Sequence, residues 1–195
     1  FAYQLFVRRY GTNNLPDCSN LCHESSGVAL TETLGVGKGS VTLDDFAHTD
    51  LIFVVGQNPG TNHPRMLTAL ERAKADGARI IAVTPWPEAG LLRFRNPQRL
   101  TGLLGRGTAL ADLFLQIRVN GDLALFQALN RLLLERAATD PSAIDRTFLD
   151  EHCDGLDALA AHLASVPWHE IDRATGLTRA EIEQALALVL GADRI

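Results

Sequence analysis

Apolar residues along the chain fall into two patterns, short unbroken runs and runs at helical spacing. Leu51-Ile-Phe-Val-Val55, bounded by Asp50 and Gly56, is of the first kind, and a run apolar on both faces marks a strand buried in a parallel sheet. Arg79-Ile-Ile-Ala-Val83 repeats the pattern. Between them, Pro64 to Lys74 places Met66, Leu67, Leu70 and Ala73 on one face, which predicts a helix with Gly77 as its stop. Together these segments predict a βαβ unit, whose right-handed crossover sets the turns after Val55 and Val83 side by side at one end of the sheet. A third strand is expected over Leu113 to Val119, ending in Asn120-Gly121-Asp122, a strand-to-helix turn with Asp122 as the N-cap of a helix from Leu123 to about Ala137.

The flanks read differently. Phe1 to Tyr10 has the look of the end of a helix, stopped by the turn residues from Gly11 to Pro16. Small residues and glycines dominate from Gly27 to Ser40, which suits a loop and short helix lying over a ligand. Pro85 to Thr108 is too long for a minimal strand-to-helix connection and carries Arg93, Arg95, Arg99 and Arg106, which could face a pyrophosphate or solvent. From Ser142 to Leu190 the chain is largely helical, punctuated by Pro167, Gly176 and Gly191, with Leu156, Leu159, Leu163, Ile182, Leu186 and Leu190 at core spacing. The fold class expected is α/β: a Rossmann-like parallel sheet with flanking helices and a helical C-terminal extension. Three stretches follow, residues 1–47, 48–140 and 141–195.

Composition narrows the function classes. With 195 residues, 46% of them hydrophobic, the chain can bury a substantial core. A formal net charge of −5 argues against a general nucleic-acid binder, which needs a basic face. No apolar run approaches the roughly 18 residues that span a bilayer. The opening residues lack a signal peptide's order of charge before apolar core, and there is no initiator Met, so the chain reads as an internal fragment. Three cysteines suggest a reducing compartment, with the cytoplasm as the default.

Two segments carry chemistry. Gly56-Gln-Asn-Pro-Gly-Thr-Asn-His-Pro64 follows a strand at its carboxyl end, where ligands of open α/β sheets bind. Its glycines let backbone approach a ligand, and Asn58, Asn62 and His63 offer neutral donors and acceptors. The same asparagines would equally serve to cap a helix beginning near Pro64. Cys22-His23 sets a thiol beside an imidazole; soft thiolates bind molybdenum and tungsten, while an isolated Cys is more often a buried small hydrophobe. Cys18 and Cys22 have neither the two-residue spacing nor the second pair that structural zinc needs, and Cys153 is expected to be buried. Gly35-Val-Gly-Lys-Gly39 lacks the strand and helix of a dinucleotide fingerprint, so a flexible turn competes with a phosphate role for Lys38.

In order along the chain, Gly11-Thr-Asn-Asn14, Cys22-His23, Gly35-Val-Gly-Lys-Gly39, Thr49-Asp-Leu-Ile-Phe53, Gly56-Gln-Asn-Pro59 and Gly77-Ala-Arg-Ile-Ile81 resemble the molybdopterin oxidoreductase superfamily, and within it the formate dehydrogenase-like proteins. Leu15-Pro-Asp-Cys-Ser-Asn20 and Asn58-Pro-Gly-Thr-Asn-His-Pro-Arg65 point to the subgroup of uncertain substrate. The resemblance implies a bis(molybdopterin guanine dinucleotide) cofactor with molybdenum or tungsten, Cys22 as metal ligand and His23 as proton acceptor, and residues 1–47 as a cofactor-loop segment of a larger parent. It implies nucleotide contacts from Gly56, Asn58, Thr61 and Asn62, from Thr84 and Pro85, and from Asn120, Gly121 and Asp122. After the second strand the family often has an acidic residue, then Pro and Arg; Thr84, Pro85 and Trp86 stand here, so a hydroxyl replaces a charge and an indole could stack where a guanidinium would pair. The partners implied are a small-molecule substrate and an electron-acceptor protein or cluster. A 4Fe-4S cluster is expected in the parent, outside this segment, because Cys18, Cys22 and Cys153 lack cluster spacing. The rival reading is a nucleotide-binding regulatory domain or scaffold without redox activity.

Overall fold

The computed structural model describes residues 1–15 and 18–195, the side chains of Cys18 and Thr101 excepted. Part of the Leu15 to Asn20 motif, namely Pro16, Asp17 and the Cys18 side chain, therefore lies outside the described residues. The chain forms two compact units, Phe1–Thr42 and Leu43–Ile195.

Among its described residues the first unit holds three helices: α1 (Ala2–Tyr10), α2 (Cys18–Cys22) and α3 (Glu24–Leu34). Helix α1 ends at Gly11, whose φ of 99° lets its N–H donate to the last-turn carbonyls. The stretch from Gly27 to Ser40, expected to be a loop and short helix, is the last part of α3 through Leu34 followed by non-helical chain. The Thr31 and Thr33 hydroxyls donate back to the Gly27 and Ala29 carbonyls at 2.7 and 2.8 Å, and Gly35 closes α3 at φ 76°. Gly37 then returns against Gly27: a Cβ there would lie 3.2 Å from the Gly27 carbonyl oxygen. Two glycines of the 35–39 run thus serve a helix stop and a chain reversal.

The second unit is built on a parallel sheet in the order β1 (Leu51–Val55), β2 (Arg79–Val83), β3 (Leu113–Leu115). Helices α4 (Pro59–Asn62) and α5 (Pro64–Ala75) connect β1 to β2, and α6 (Ala89–Leu92) and α7 (Leu100–Leu103) lie between β2 and β3. After β3 come α8 (Asp122–Ala137), α9 (Arg146–His152), α10 (Leu156–Ser165), α11 (Trp168–Thr175) and α12 (Arg179–Leu190). The fold is α/β, a Rossmann-like parallel sheet with flanking helices and a helical C-terminal extension.

Alternation along the strands explains the unbroken apolar runs, since successive side chains enter different layers. Val54, Ile80 and Ala82 pack with Leu67 and Leu70 of α5 and with Leu91, Phe94 and Leu110. Leu51, Ile81, Val83 and Leu115 pack with Leu125, Leu129 and Leu132 of α8, Ile171 of α11 and Ile182 of α12. The long connection is fastened by a buried carboxylate. Glu71 of α5, 6% exposed, accepts from Asn96 Nδ2 at 2.7 Å and from the Thr108 hydroxyl at 3.1 Å, with Arg99 Nε 3.6 Å away.

Four expectations need correcting. The third strand stops at Leu115 rather than Val119, because Ile117 N–H turns back to the Leu115 carbonyl and Arg118 N–H is drawn to the Thr175 carbonyl at 2.8 Å. Cys153 is exposed, since it ends α9 in extended backbone instead of facing a core. Leu159 and Leu190 are exposed too: on α10 it is Leu163 that reaches the interior, and on α12 Ile182 and Ala185. Asp122 does not cap α8, as its own backbone is already helical and Gly121 holds the cap position.

Candidate functional site

Cys22 closes α2 and His23 is the single residue between α2 and α3. His23 N–H donates to the Ser19 carbonyl at 2.9 Å and its carbonyl accepts from Gly27 N–H at 2.8 Å, so the backbone of this joint is fully engaged. The thiol is free and exposed. Among the described residues, no group of three or more His, Cys, Asp or Glu side chains gathers as a metal site.

In the second unit the candidate residues sit on turns at the carboxyl end of the sheet. Gly56, the first residue past β1, has φ 63° and donates its N–H to the Val83 carbonyl at 2.8 Å, a rung that carries β2 pairing into the turn. Asn58 then caps α4: its Oδ1 accepts from Thr61 N–H at 3.1 Å. The capping seen in the sequence thus exists, one short helix earlier than expected. His63 occupies the cap position of α5 without a side-chain cap bond, and the Thr61, Asn62 and His63 side chains are exposed.

The turn after β2 meets the turn after β1 through a pair of glycines. A Cβ on Gly60 would stand 3.6 Å from Gly90 Cα, and one on Gly90 would stand 3.3 Å from Gly60 Cα and 3.0 Å from Leu67 Cδ1. The sequence does not single out Gly90. Its signal lay in Glu-Ala-Gly-Leu-Leu within a connection that offered many small residues and no periodicity. Thr84 is 4% exposed, with its hydroxyl within 3.2 Å of the Trp86 carbonyl and 3.4 Å of the Trp86 N–H, so this side chain shapes its own turn. That turn presents Trp86 to solvent at 72% exposure. Pro85 is joined to the end of β3 by Gln116, another residue the sequence did not single out, whose Nε2 donates to the Pro85 carbonyl at 3.1 Å.

Beyond β3, Asn120 takes φ 68°, unusual for a residue with a side chain, and Gly121 follows in a buried position. A Cβ at Gly121 would fall 2.9 Å from the carbonyl oxygens of Ala174 and Arg118, so close passage against α11 requires glycine. Asp122 lies in the first turn of α8, where a carboxylate is favourable. The turns after β1 and β2 are therefore tied by the two glycines, and those after β2 and β3 by Gln116. Of the arginines in the long connection, Arg99 faces Glu71, while the side chains of Arg93, Arg95 and Arg106 are exposed.

No protein-family model matches the chain. Individual proteins do. An uncharacterized oxidoreductase of Mycobacterium tuberculosis is 54% identical over 195 residues, which is all of this chain and 25% of that protein. Formate dehydrogenase H of Escherichia coli is 25% identical over 186 residues, 95% of this chain and 23% of that protein. Among solved structures, acetylene hydratase from Pelobacter acetylenicus superposes with a TM-score of 0.67 at 20% identity, over 96% of this chain and 22% of that one, a likeness of fold. The chain spans about a quarter of the length of the curated relatives it matches.

Proposed function

We propose, for a chain that belongs to the formate dehydrogenase-like members of the molybdopterin oxidoreductase superfamily, that it is the segment of a larger oxidoreductase that holds the metal and part of its pterin cofactor. The observation that carries this reading is that the turns at the carboxyl end of the sheet are joined to one another, through Gly60 and Gly90 and through Gln116. In a bis(molybdopterin guanine dinucleotide) centre Cys22 would hold the metal. When bound, molybdenum or tungsten supplies two-electron redox chemistry to a small substrate, with formate oxidation as the class-level expectation.

Each residue has a separate task in this reading. Cys22 holds the metal through its thiolate, and His23 takes up the substrate's proton at a ring nitrogen. Gly56, Asn58, Thr61 and Asn62 hold a nucleotide end of the cofactor, with Asn58 fixing the turn while Thr61 and Asn62 offer exposed polar groups. Thr84 and Pro85 shape the turn that presents Trp86, and the indole face stacks on a base. Asn120, Gly121 and Asp122 close the far side. A 4Fe-4S cluster and an electron acceptor would be supplied outside this segment, in a cytoplasmic full-length protein.

The test is elemental analysis of the full-length protein, purified anaerobically, beside its Cys22→Ala variant. About one molybdenum or tungsten per chain is expected. The variant should lose at least about a hundredfold in turnover, since even groups that only orient metal ligands are worth 10- to 100-fold. Absence of metal under replete conditions would overturn the reading and leave a nucleotide-binding or scaffold domain.

A further inference from the structure

The second unit carries a protrusion and a hollow of opposite charge. The protrusion belongs to the long β2-to-β3 connection. Phe94 and Thr108 exchange both of their backbone hydrogen bonds, each at 2.8 Å, which closes the residues between them into a loop. The buried Glu71 holds the base of that loop through Asn96 and Thr108. Farther out lies α7, where Leu100, Leu103 and Leu104 share one face at i, i+3 and i+4 spacing. These leucines are 79, 71 and 81% exposed, a cluster of apolar surface held out by a braced loop. Arg95 and Arg106 stand exposed at its neck, and from Ala89 to Ala111 the sequence has no acidic residue.

The hollow is a groove of about 360 Å³ on the outer side of α8. Leu133 and Leu134 of α8, Ile144, Phe148 and Leu149 before and along α9, and Leu159 of α10 line it. A cavity of about 150 Å³ already takes a benzene ring, so this groove has room for about two leucine side chains. One of its walls is acidic: between Asp145 and Asp157 the exposed carboxylates of Asp145, Asp150, Glu151, Asp154 and Asp157 stand against the single arginine Arg146. Loop and groove cannot meet within one chain. Phe94 packs with α5 on one face of the sheet, whereas α8 covers the other face with Leu125, Leu129 and Leu132 and turns Leu133 and Leu134 outward.

We infer that the Leu100–Leu104 turn of one copy seats in the groove between α8, α9 and α10 of a second copy. Burial of the leucines supplies the affinity, while the arginines facing the acidic wall set the orientation and speed the encounter. That charge match is what selects a second copy: each surface finds its complement in this same sequence. Because the two surfaces differ, the contact is heterologous, and copies join head to tail until a ring closes. A loop tip is small beside a standard interface, so dissociation at about 1–100 μM is expected. Neither surface contains a residue assigned above to the metal or cofactor, so the contact does not depend on the function proposed.

The experiment is analytical ultracentrifugation of the full-length protein over about 1–100 μM, at low and high salt, beside Leu103→Asp in the loop and Leu159→Asp in the groove. Both leucines are exposed, so each variant should keep the unfolding midpoint of the unsubstituted protein. The unsubstituted protein should associate as concentration rises, and each variant alone should do so at least about tenfold more weakly. An equimolar mixture of the two should form pairs that grow no further, because the intact loop of one copy meets the intact groove of the other. The double change Arg95→Glu with Arg106→Glu should weaken association at low salt and approach the unsubstituted protein at high salt. A full-length protein that stays monomeric at about 100 μM overturns the inference and assigns both surfaces to other parts of the same chain. Association that either leucine variant leaves intact overturns it too, as does a mixture that stays monomeric. Association indifferent to the arginine changes at low salt removes the charge match and with it the choice of a second copy.

Discussion

The two ends of the sheet are made of different materials. At the amino-terminal end, Asp112 receives Lys74 Nζ at 2.6 Å, Arg79 Nη1 at 3.0 Å and Ile80 N–H at 2.9 Å, and Asp50 is bound by Arg194. At the carboxyl end there are turns containing Gly56 and Gly60, the backbone of Asn120 at positive φ, and exposed apolar side chains including Trp86, Val119 and Leu123. One end spends its side chains on holding the strands together. The other leaves polar and aromatic groups uncommitted, which costs stability unless a ligand or the rest of the protein meets them. The division teaches that the candidate residues are supported from below: the ion pairs of Asp50 and Asp112 gather at the opposite end of the sheet.

The comparison would break most visibly through the residue that supports the site end from within. Glu71→Ala should cost about 3 kcal/mol, because it strands the buried Asn96 amide and frees the connection that carries Trp86 and Gly90. Denaturation of the full-length protein, with exchange of the Phe94 and Thr108 amides as a local readout, checks it. An effect below about 0.5 kcal/mol, the size of an ordinary surface change, would mean the connection is held by its apolar contacts alone.

Asp112 sharpens the comparison from the opposite end. Burial pushes its carboxyl up, but the hydrogen bonds from Lys74, Ile80 N–H and Arg79 outweigh that and hold it below the usual carboxylate range. A depressed folded-state value means stability present above the unfolded value and lost as pH falls through the folded one. Asp112→Asn should therefore cost about 1 kcal/mol near neutral pH, solvent at this edge keeping the figure small. The difference from the parent should shrink below about pH 4, where unfolded carboxylates protonate. Exchange of the Ile80 amide across that range follows the bond directly, and a difference constant with pH would show that charge plays no part.

The strands and the crossover were legible because each is written in consecutive residues: five apolar positions, a 3.6-residue stripe, a glycine stop. The first two strands, Leu51–Val55 and Arg79–Val83, have the limits their composition suggested. The third was overextended by four residues, since Gln116 to Val119 is composed much like a strand, and only the Thr175 carbonyl and the turn at Ile117 divert it. Gly90 and Gln116 were missed for the same reason. Their roles depend on a partner 30 or more residues away, Gly60 and Pro85 respectively, and nothing local announces it. The misplaced core leucines show the limit of periodicity: spacing puts Leu159 and Leu163 on one helix face, and only the packed neighbours decide that Leu163 alone is buried.

The smallest effect on folding falls at Trp86, and it discriminates most finely between the two ends. A side chain 72% exposed contributes little packing, so Trp86→Ala should shift unfolding of the full-length protein by no more than about 0.5 kcal/mol. If the indole is a stacking surface for the cofactor's base, the same change should weaken binding of a guanine nucleotide to cofactor-free protein by about tenfold, within the range seen for aromatic–base stacking. Titration calorimetry beside equilibrium unfolding separates the two quantities. A variant that binds as before but unfolds more easily would make Trp86 a packing residue of the full-length protein, and the carboxyl end would then be as structural as the amino-terminal one.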